Sequence, residues 1–221
     1  MTSLQFEKEY FSGRRYPLKE TVVKRHVLEV VKWASNVSSS NLFNGQGKKA
    51  LDVGCAYGYV SKVLETLGYE TYSVDLSRWG VRQARANSNG HFLVCDAQTK
   101  FPFKAVTFDL ITCFDVLEHL QFPEKAIQNM LEICNDVLVC TTPNKAVEKP
   151  LRKIMRDFDE THINVKLPFE WETCIKEKLD YQLLKIETFY DVTAKLANRL
   201  LFFKSFKVPN FGLTVRILVR K

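Results

Sequence analysis

Lys49-Ala50-Leu51-Asp52-Val53-Gly54-Cys55-Ala56-Tyr57-Gly58-Tyr59-Val60 is the most informative stretch of this 221-residue chain. An apolar run ends in Asp52, a tight turn with Gly54 and Gly58 follows, and a helical pattern opens at Tyr59. In an open α/β sheet, ligands bind outside the carboxyl ends of the strands. Glycine in such a turn lets the backbone approach a ligand, because no Cβ stands in the way. The spacing does not suit a nicotinamide-binding Gly-x-Gly-x-x-Gly turn, since Tyr59 falls where the third glycine is needed.

Downstream, strand and helix patterns alternate. Ala50–Val53 reads as a strand and Tyr59–Leu67 as a helix closed by Gly68. Glu70–Val74 is a strand ending in Asp75, and Ser77 is placed to cap the helix Arg78–Ala86. His91–Cys95 is a third strand, ending in Asp96. Thr107–Phe114 is nearly all apolar, as expected of a strand covered on both faces. Pro123 opens the helix Glu124–Cys134, and Asp136–Thr141 is a strand stopped by Pro143. This alternation predicts a parallel sheet with helices on both sides.

Upstream, residues 1–18 read as irregular, with Tyr10, Phe11 and Tyr16 as apolar anchors. Leu18–Ala34 reads as a helix whose stripe includes Val23, Val27, Val30, Val31 and Ala34, and 35–48 as a loop. In the tail, Pro150–Met155 and Phe169–Leu179 read as helices around a polar segment from Asp157 to Asn164. Tyr181–Tyr190 and Gly212–Val219 read as strands, with Thr193–Phe203 helical between them.

The net charge of +7 is unevenly spread. Residues 1–50 carry +5, residues 51–150 carry −3 and residues 151–221 carry +5. Basic flanks around an acidic centre permit an anionic substrate, nucleic acid or membrane surface, although most such charges simply solubilise. No apolar run reaches the ~18 residues of a membrane helix, and the first residues lack a secretory pattern. None of the six cysteines forms a Cys-x-x-Cys pair, which fits free thiols in a reducing cytoplasm.

Three predicted strands end in acids: Asp52, Asp75 and Asp96. Asp75 lies 23 residues beyond Asp52. An acid about 20 residues on is where dinucleotide folds hold ribose hydroxyls, and a carboxylate offers two acceptor oxygens to two adjacent hydroxyls. Asp75 by itself is equally explained as an acid leading the next helix; three strand ends in succession would need three separate capping roles.

Asp52-Val53-Gly54-Cys55-Ala56-Tyr57-Gly58 resembles the first motif of class I S-adenosylmethionine (SAM)-dependent methyltransferases, Asp/Glu-x-Gly-x-Gly-x-Gly. Ala56 departs from the middle glycine and keeps the close approach if its φ is negative. Phe108–Leu120 resembles the fourth-strand segment of the ubiquinone- and menaquinone-biosynthesis type, often termed methyltransferase-11-like.

The resemblance implies a Rossmann-like, doubly wound, three-layer α/β/α fold with seven strands, the last antiparallel. It implies one domain over 1–221, with an N-terminal arm and helix (1–48), a cofactor core (49–144) and substrate-cap elements with the last strands (145–221). SAM is the implied cofactor. Asp52, Gly54, Cys55, Ala56 and Gly58 form its loop, Asp75 and Leu76 its ribose site, and Asp96 and Ala97 its adenine site. Phe114, Asp115 and Val116 meet its methionine end.

His119 is either a general base or an orienting histidine, and His162 is a substrate contact or a plain loop residue. No metal is expected. The alternative is a cation held by Asp115, Glu118 and His119, which match a Glu-x-x-Glu-His site with Asp in first place.

The implied activity is methyl transfer to a small-molecule acceptor, by O- or C-methylation of an aromatic or lipid-like compound. The alternatives are an RNA or protein methyltransferase and a non-catalytic SAM-binding subunit. No Asn/Asp-Pro-Pro-Tyr or Pro-Cys is present, against base-amine and cytosine C5 chemistry, and there is no clear nucleic-acid module. Residues 194–207, read as a basic amphipathic helix, pack on the sheet edge, cap the pocket or touch a membrane surface.

Overall fold

The computed structural model describes residues 6–13, 16–148, 150, 160–179, 181–196 and 199–221. Lys49–Val53 (β1) pairs in parallel with Glu70–Asp75 (β2) on one side and Phe108–Phe114 (β4) on the other. His91–Val94 (β3) extends the sheet beyond β2, and Cys134–Pro143 (β5) extends it beyond β4, all parallel. Thr214–Arg220 (β8) pairs antiparallel with β5, Gln182–Leu196 (β6) antiparallel with β8, and Arg199–Lys207 (β7) antiparallel with β6. The strand order is β3-β2-β1-β4-β5-β8-β6-β7. It reverses between β1 and β4, and a crevice opens there.

The helices cover both faces. Glu20–Ser38 (α2) and Tyr59–Thr66 (α3) share a core with Leu110, Val139 and Leu218, to which α2 contributes Val27, Val30, Val31 and Ala34. Arg78–Asn87 (α4) follows β2, and the Ser77 hydroxyl accepts the Gly80 N–H at 2.9 Å, the expected cap. Pro123–Ile133 (α5) and Pro168–Thr173 (α6) supply Met130 and Trp171 to the other core, beside Ile111 and Ile217. Leu110 and Ile111 face opposite cores, as do Ile217 and Leu218, so these central strands read as unbroken apolar runs.

Four expectations need correction. The sheet has eight strands, not seven. Thr193–Phe203 is not a helix: β6 runs on to Leu196 and β7 begins at Arg199. The period there is two, with Phe202, Lys204 and Phe206 exposed and Phe203 and Ser205 half-buried between them. Tyr190 stands opposite Phe206 and Val192 opposite Lys204, so pairing along β6 outweighs the helical spacing of the leucines. Third, α2 continues to Ser38, four residues past its predicted end. Fourth, the arm holds a short helix, Lys8–Gly13 (α1), and a 3-10 turn, Tyr16–Lys19. Ala197 and most of the helix expected over Pro150–Met155 lie outside the described residues. Among the described residues no helix is long and apolar enough to cross a membrane.

Candidate functional site

The loop after β1 is wound by backbone groups. The N–H groups of Gly54 and Cys55 both donate to the Val74 carbonyl, at 2.8 and 3.1 Å, and Gly58 N–H donates to the Cys55 carbonyl at 2.7 Å. Gly54 has φ +81°, and a Cβ there would lie 2.1 Å from Val116 Cγ2. The β1 and β4 loops therefore meet so closely that only glycine fits. Ala56 has φ +45°, so the condition of a negative φ for an alanine in place of the middle glycine is not met. Its N–H donates to Asp75 Oδ2 at 2.7 Å, which holds it in a conformation that L residues rarely adopt.

The three strand-end acids have different surroundings. Asp52 is level with Ser73 and Thr112 of the neighbouring strands and is 1% exposed. Its oxygens accept from the Ser61 hydroxyl at 2.9 Å and the Thr112 hydroxyl at 3.1 Å, so it fastens α3 and β4 to β1 beneath the loop. Burial pushes its carboxyl up to about 7, against the lowering effect of those two bonds. Asp75 accepts from Ala56 and Ser77 N–H, one on each oxygen, at 2.7 and 2.8 Å. Each oxygen keeps a second lone pair. Asp96 uses Oδ1 for the Gln98 N–H at 2.9 Å; its Oδ2 and the Ala97 N–H have no partner among the described residues.

At the end of β4, Asp115 has φ +54°, and its Oδ1 accepts from the Thr141 hydroxyl at 3.1 Å. Glu118 is fully buried; one oxygen accepts from the Thr142 hydroxyl at 3.3 Å, and Oε1 has no partner among the described residues. Burial, then the nearby Asp115, raises its carboxyl well above the usual range. Thr161 meets His119 Nδ1 through its hydroxyl at 2.9 Å and its carbonyl at 3.2 Å. The His162 ring lies edge-on to His119, centroids 4.6 Å apart, with its Nδ1 2.5 Å from Glu148 Oε1. Glu118, His119 and His162 each offer one ligand atom within 4.8 Å of the others. A carboxylate and two imidazoles suit a divalent transition metal. Among the described residues the convergent set thus contains His162, where the alternative considered from the sequence had Asp115.

These elements surround one cavity of about 560 Å³, a size suited to a cofactor or small ligand. Asp52, Gly54, Cys55, Ala56, Asp75, Leu76, Asp96, Ala97, Phe114, Asp115, Val116, His119 and His162 all line it. Gly58 does not; a Cβ there would lie 3.0 Å from the Ala84 backbone, so its smallness serves helix packing. Two groups of lining residues were not legible in the sequence. Phe6 and Tyr10 lie edge-on to His119 at 5.5 and 6.5 Å, making the arm part of the pocket wall. His26 and Asp191 meet at 2.7 Å although 165 residues apart, a distance no local pattern spans.

Comparison with known proteins agrees with this geometry. The methyltransferase domain family matches residues 24–185. A mitochondrial ubiquinone biosynthesis O-methyltransferase of Schizosaccharomyces pombe is 30% identical over 92 residues, 39% of this chain and 34% of that protein. The ubiquinone biosynthesis O-methyltransferase of Glaesserella parasuis is 30% identical over 135 residues, 56% of each chain. The matches to these relatives span only a third to a little over half of their lengths. Among solved structures, a SAM-dependent methyltransferase from Archaeoglobus fulgidus superposes with TM-score 0.69 at 15% identity, covering 97% of this chain and all of that one. The magnesium protoporphyrin IX methyltransferase of Synechocystis, with bound S-adenosylhomocysteine (SAH), gives 0.64 at 15% identity and covers 97% of each chain. With a glycine loop at the switch point, acids at three successive strand ends, this superposition and a family match over most of its length, the chain belongs to the methyltransferase domain family.

Proposed function

We propose that the cavity binds SAM and that the protein transfers its methyl group to a hydroxyl of a small, aromatic or lipid-like acceptor. The observation that carries this reading is the convergence of Asp75, Asp96 and the Gly54 loop, from three separate strands, on one cavity. Asp75 retains acceptor capacity for two ribose hydroxyls, and Asp96 with the Ala97 N–H presents an acceptor–donor pair that suits the adenine edge. Asp75, Asp96 and Asp115 line the cavity, and their carboxylates favour a cationic ligand. Bound there, SAM supplies an activated methyl group on a sulfonium. The protein's task is to hold acceptor and methyl in line, which alone accounts for a large part of such a rate enhancement. Phe114 and Val116 lie at the end of β4 to fix the methionine portion, and His119 with His162 faces the acceptor end under the cover of Phe6 and Tyr10.

The hydroxyl acceptor is supported by the curated relatives, which are named as O-methyltransferases. A second reading, a divalent cation at Glu118, His119 and His162, is favoured by the unpartnered Glu118 Oε1. The cation would lower the pKa of a coordinated phenol. Tyr190, Val192, Phe202 and Phe206 are exposed on one face of the β6–β7 pair with Lys204 among them, which supports peripheral contact with an anionic membrane. The six free cysteines support a cytoplasmic location, and the residues from 1 to 221 are read as a single domain. Calorimetry with SAM and SAH is the first test. Absence of binding at millimolar ligand sinks the whole reading, and transfer of labelled methyl into a fractionated extract identifies the acceptor. Sedimentation with anionic vesicles tests the membrane face.

A further inference from the structure

One wall of the cavity carries a histidine–carboxylate pair that the loop motifs do not include. His26 projects from α2, with Nδ1 2.7 Å from Asp191 Oδ2 on β6. Asp191 Oδ1 accepts from Arg216 Nη2 at 3.3 Å, and Arg216, on β8, is 1% exposed. That guanidinium also donates to the Ser205 hydroxyl and the Glu29 carbonyl and lies 3.8 Å over the Phe189 ring. Asp191 is therefore gripped from two sides. Burial works against its charge, but the hydrogen bonds with His26 and Ser205 and the Arg216 guanidinium hold its carboxyl below the usual range.

An ionised Asp191 at Nδ1 selects the tautomer with the proton on Nδ1, which leaves Nε2 as an acceptor. Nε2 is buried and has no partner among the described residues. An orphaned buried nitrogen calls for an explanation, and a ligand hydroxyl supplies one. His26 and Asp191 both line the cavity, and the His26 ring stands edge-on to Phe114, 6.0 Å away, at the end of β4. His119, by contrast, has its Nδ1 engaged by Thr161 and belongs with Glu118 and His162. Of the charged groups, Asp191 bonds His26 directly and Arg216 reaches it through Asp191, while Lys19, Asp52, Asp75, Asp96, Asp115 and Glu118 line the same cavity.

We infer that His26 is the general base that takes the hydroxyl proton of the methyl acceptor, with Asp191 and Arg216 as its positioning residues. This rests on the methyl-transfer reading above and narrows it to acceptors of the phenol or enol class. The acceptor oxygen forms a bond to the methyl carbon, and the carbon–sulfur bond breaks with its electron pair passing to sulfur. The O–H proton passes to His26 Nε2. The positive charge thus moves from the sulfonium to an imidazolium that Asp191 stabilises.

The test uses 4-nitrophenol as probe, titrated into the full chain saturated with SAH, because its phenolate alone absorbs in the visible. Wild type is expected to raise the phenolate-to-phenol ratio of the bound probe about tenfold over free probe at the same pH, equivalent to one pKa unit. His26→Gln should abolish that gain and Asp191→Asn should reduce it. Equal ionisation in wild type and His26→Gln, or no probe bound at millimolar concentration, overturns the assignment. The nitrogen-15 spectrum of the His26 ring is a second readout that needs no stable His26 variant. A proton on Nδ1 whose shift changes in Asp191→Asn supports the pair, and a proton on Nε2 refutes it. SAH calorimetry on wild type separates the two readings, since failure there removes the cofactor site rather than the base.

Discussion

Replacing Gly54 by alanine probes the loop and the end of β4 together. The added Cβ lands 2.1 Å from Val116 Cγ2, while the next nearest atom, Val116 Cβ, is 3.4 Å away, so the conflict is with one methyl group. Relieving it by repacking costs roughly 1–3 kcal/mol. The φ of +81° adds roughly 1–2 kcal/mol for an L residue. Together Gly54→Ala should destabilise by about 2–5 kcal/mol and weaken SAH binding at the same loop. Val116→Ala removes the obstructing methyl but leaves the backbone cost. In a double-mutant cycle, the double variant should therefore recover about 1–3 kcal/mol beyond additivity. Urea unfolding of the four proteins at one pH measures this, with calorimetry for the ligand. A loss under about 0.5 kcal/mol for Gly54→Ala, the range of an ordinary surface change, would refute the steric account. So would a double variant that shows no recovery.

The remaining expectations concern the acids and Arg216. Asp75→Ala should lower SAH affinity by about 10- to 100-fold, the loss of charge-assisted bonds to two hydroxyls; unchanged affinity rejects Asp75 as the ribose acceptor. Because burial raises Asp52 to about 7 in the folded protein, the native state keeps a proton that the unfolded chain releases. Its contribution is complete below the unfolded carboxylate value near pH 4 and is lost as pH rises through about 7, by up to about 4 kcal/mol. Asp52→Asn should flatten that part of the stability–pH curve, and a slope identical to wild type counts against the assignment. Arg216→Met should cost about 1.5–3 kcal/mol by removing one of the two partners that hold Asp191, the other being His26, with partial recovery in Asp191→Asn/Arg216→Met by thermal unfolding; strict additivity excludes the pairing. If Glu118, His119 and His162 hold a cation, zinc or manganese should raise the melting temperature of wild type but not of His162→Ala.

Residues 49–144 were largely legible because their signals are local. Apolar runs of strand length, helical stripes, Ser77 as a cap and Pro123 at a helix start each depend on neighbours within a few positions. The strand-end acids followed from the same alternation, because a strand's carboxyl end is visible once its limits are known. The sign of the Ala56 φ was not legible: its positive value is held by Asp75, which sequence spacing places on another strand but cannot aim at its N–H. Residues 193–203 were misjudged because leucines at helical spacing and phenylalanines at alternate positions overlap there. Pairing with β6, itself anchored on β8, decides between them.

The amino-acid order alone settles the α/β alternation, the switch-point loop and the family, since each rests on short-range periodicity and on residue types that only a few backbone shapes accept. The eighth strand, the meeting of His162 with Glu118 and His119, the Phe6–Tyr10 cover and the His26–Asp191–Arg216 wall all join residues far apart in the chain. Their proximity is created by sheet order and helix packing, which burial energy selects and no sequence window contains.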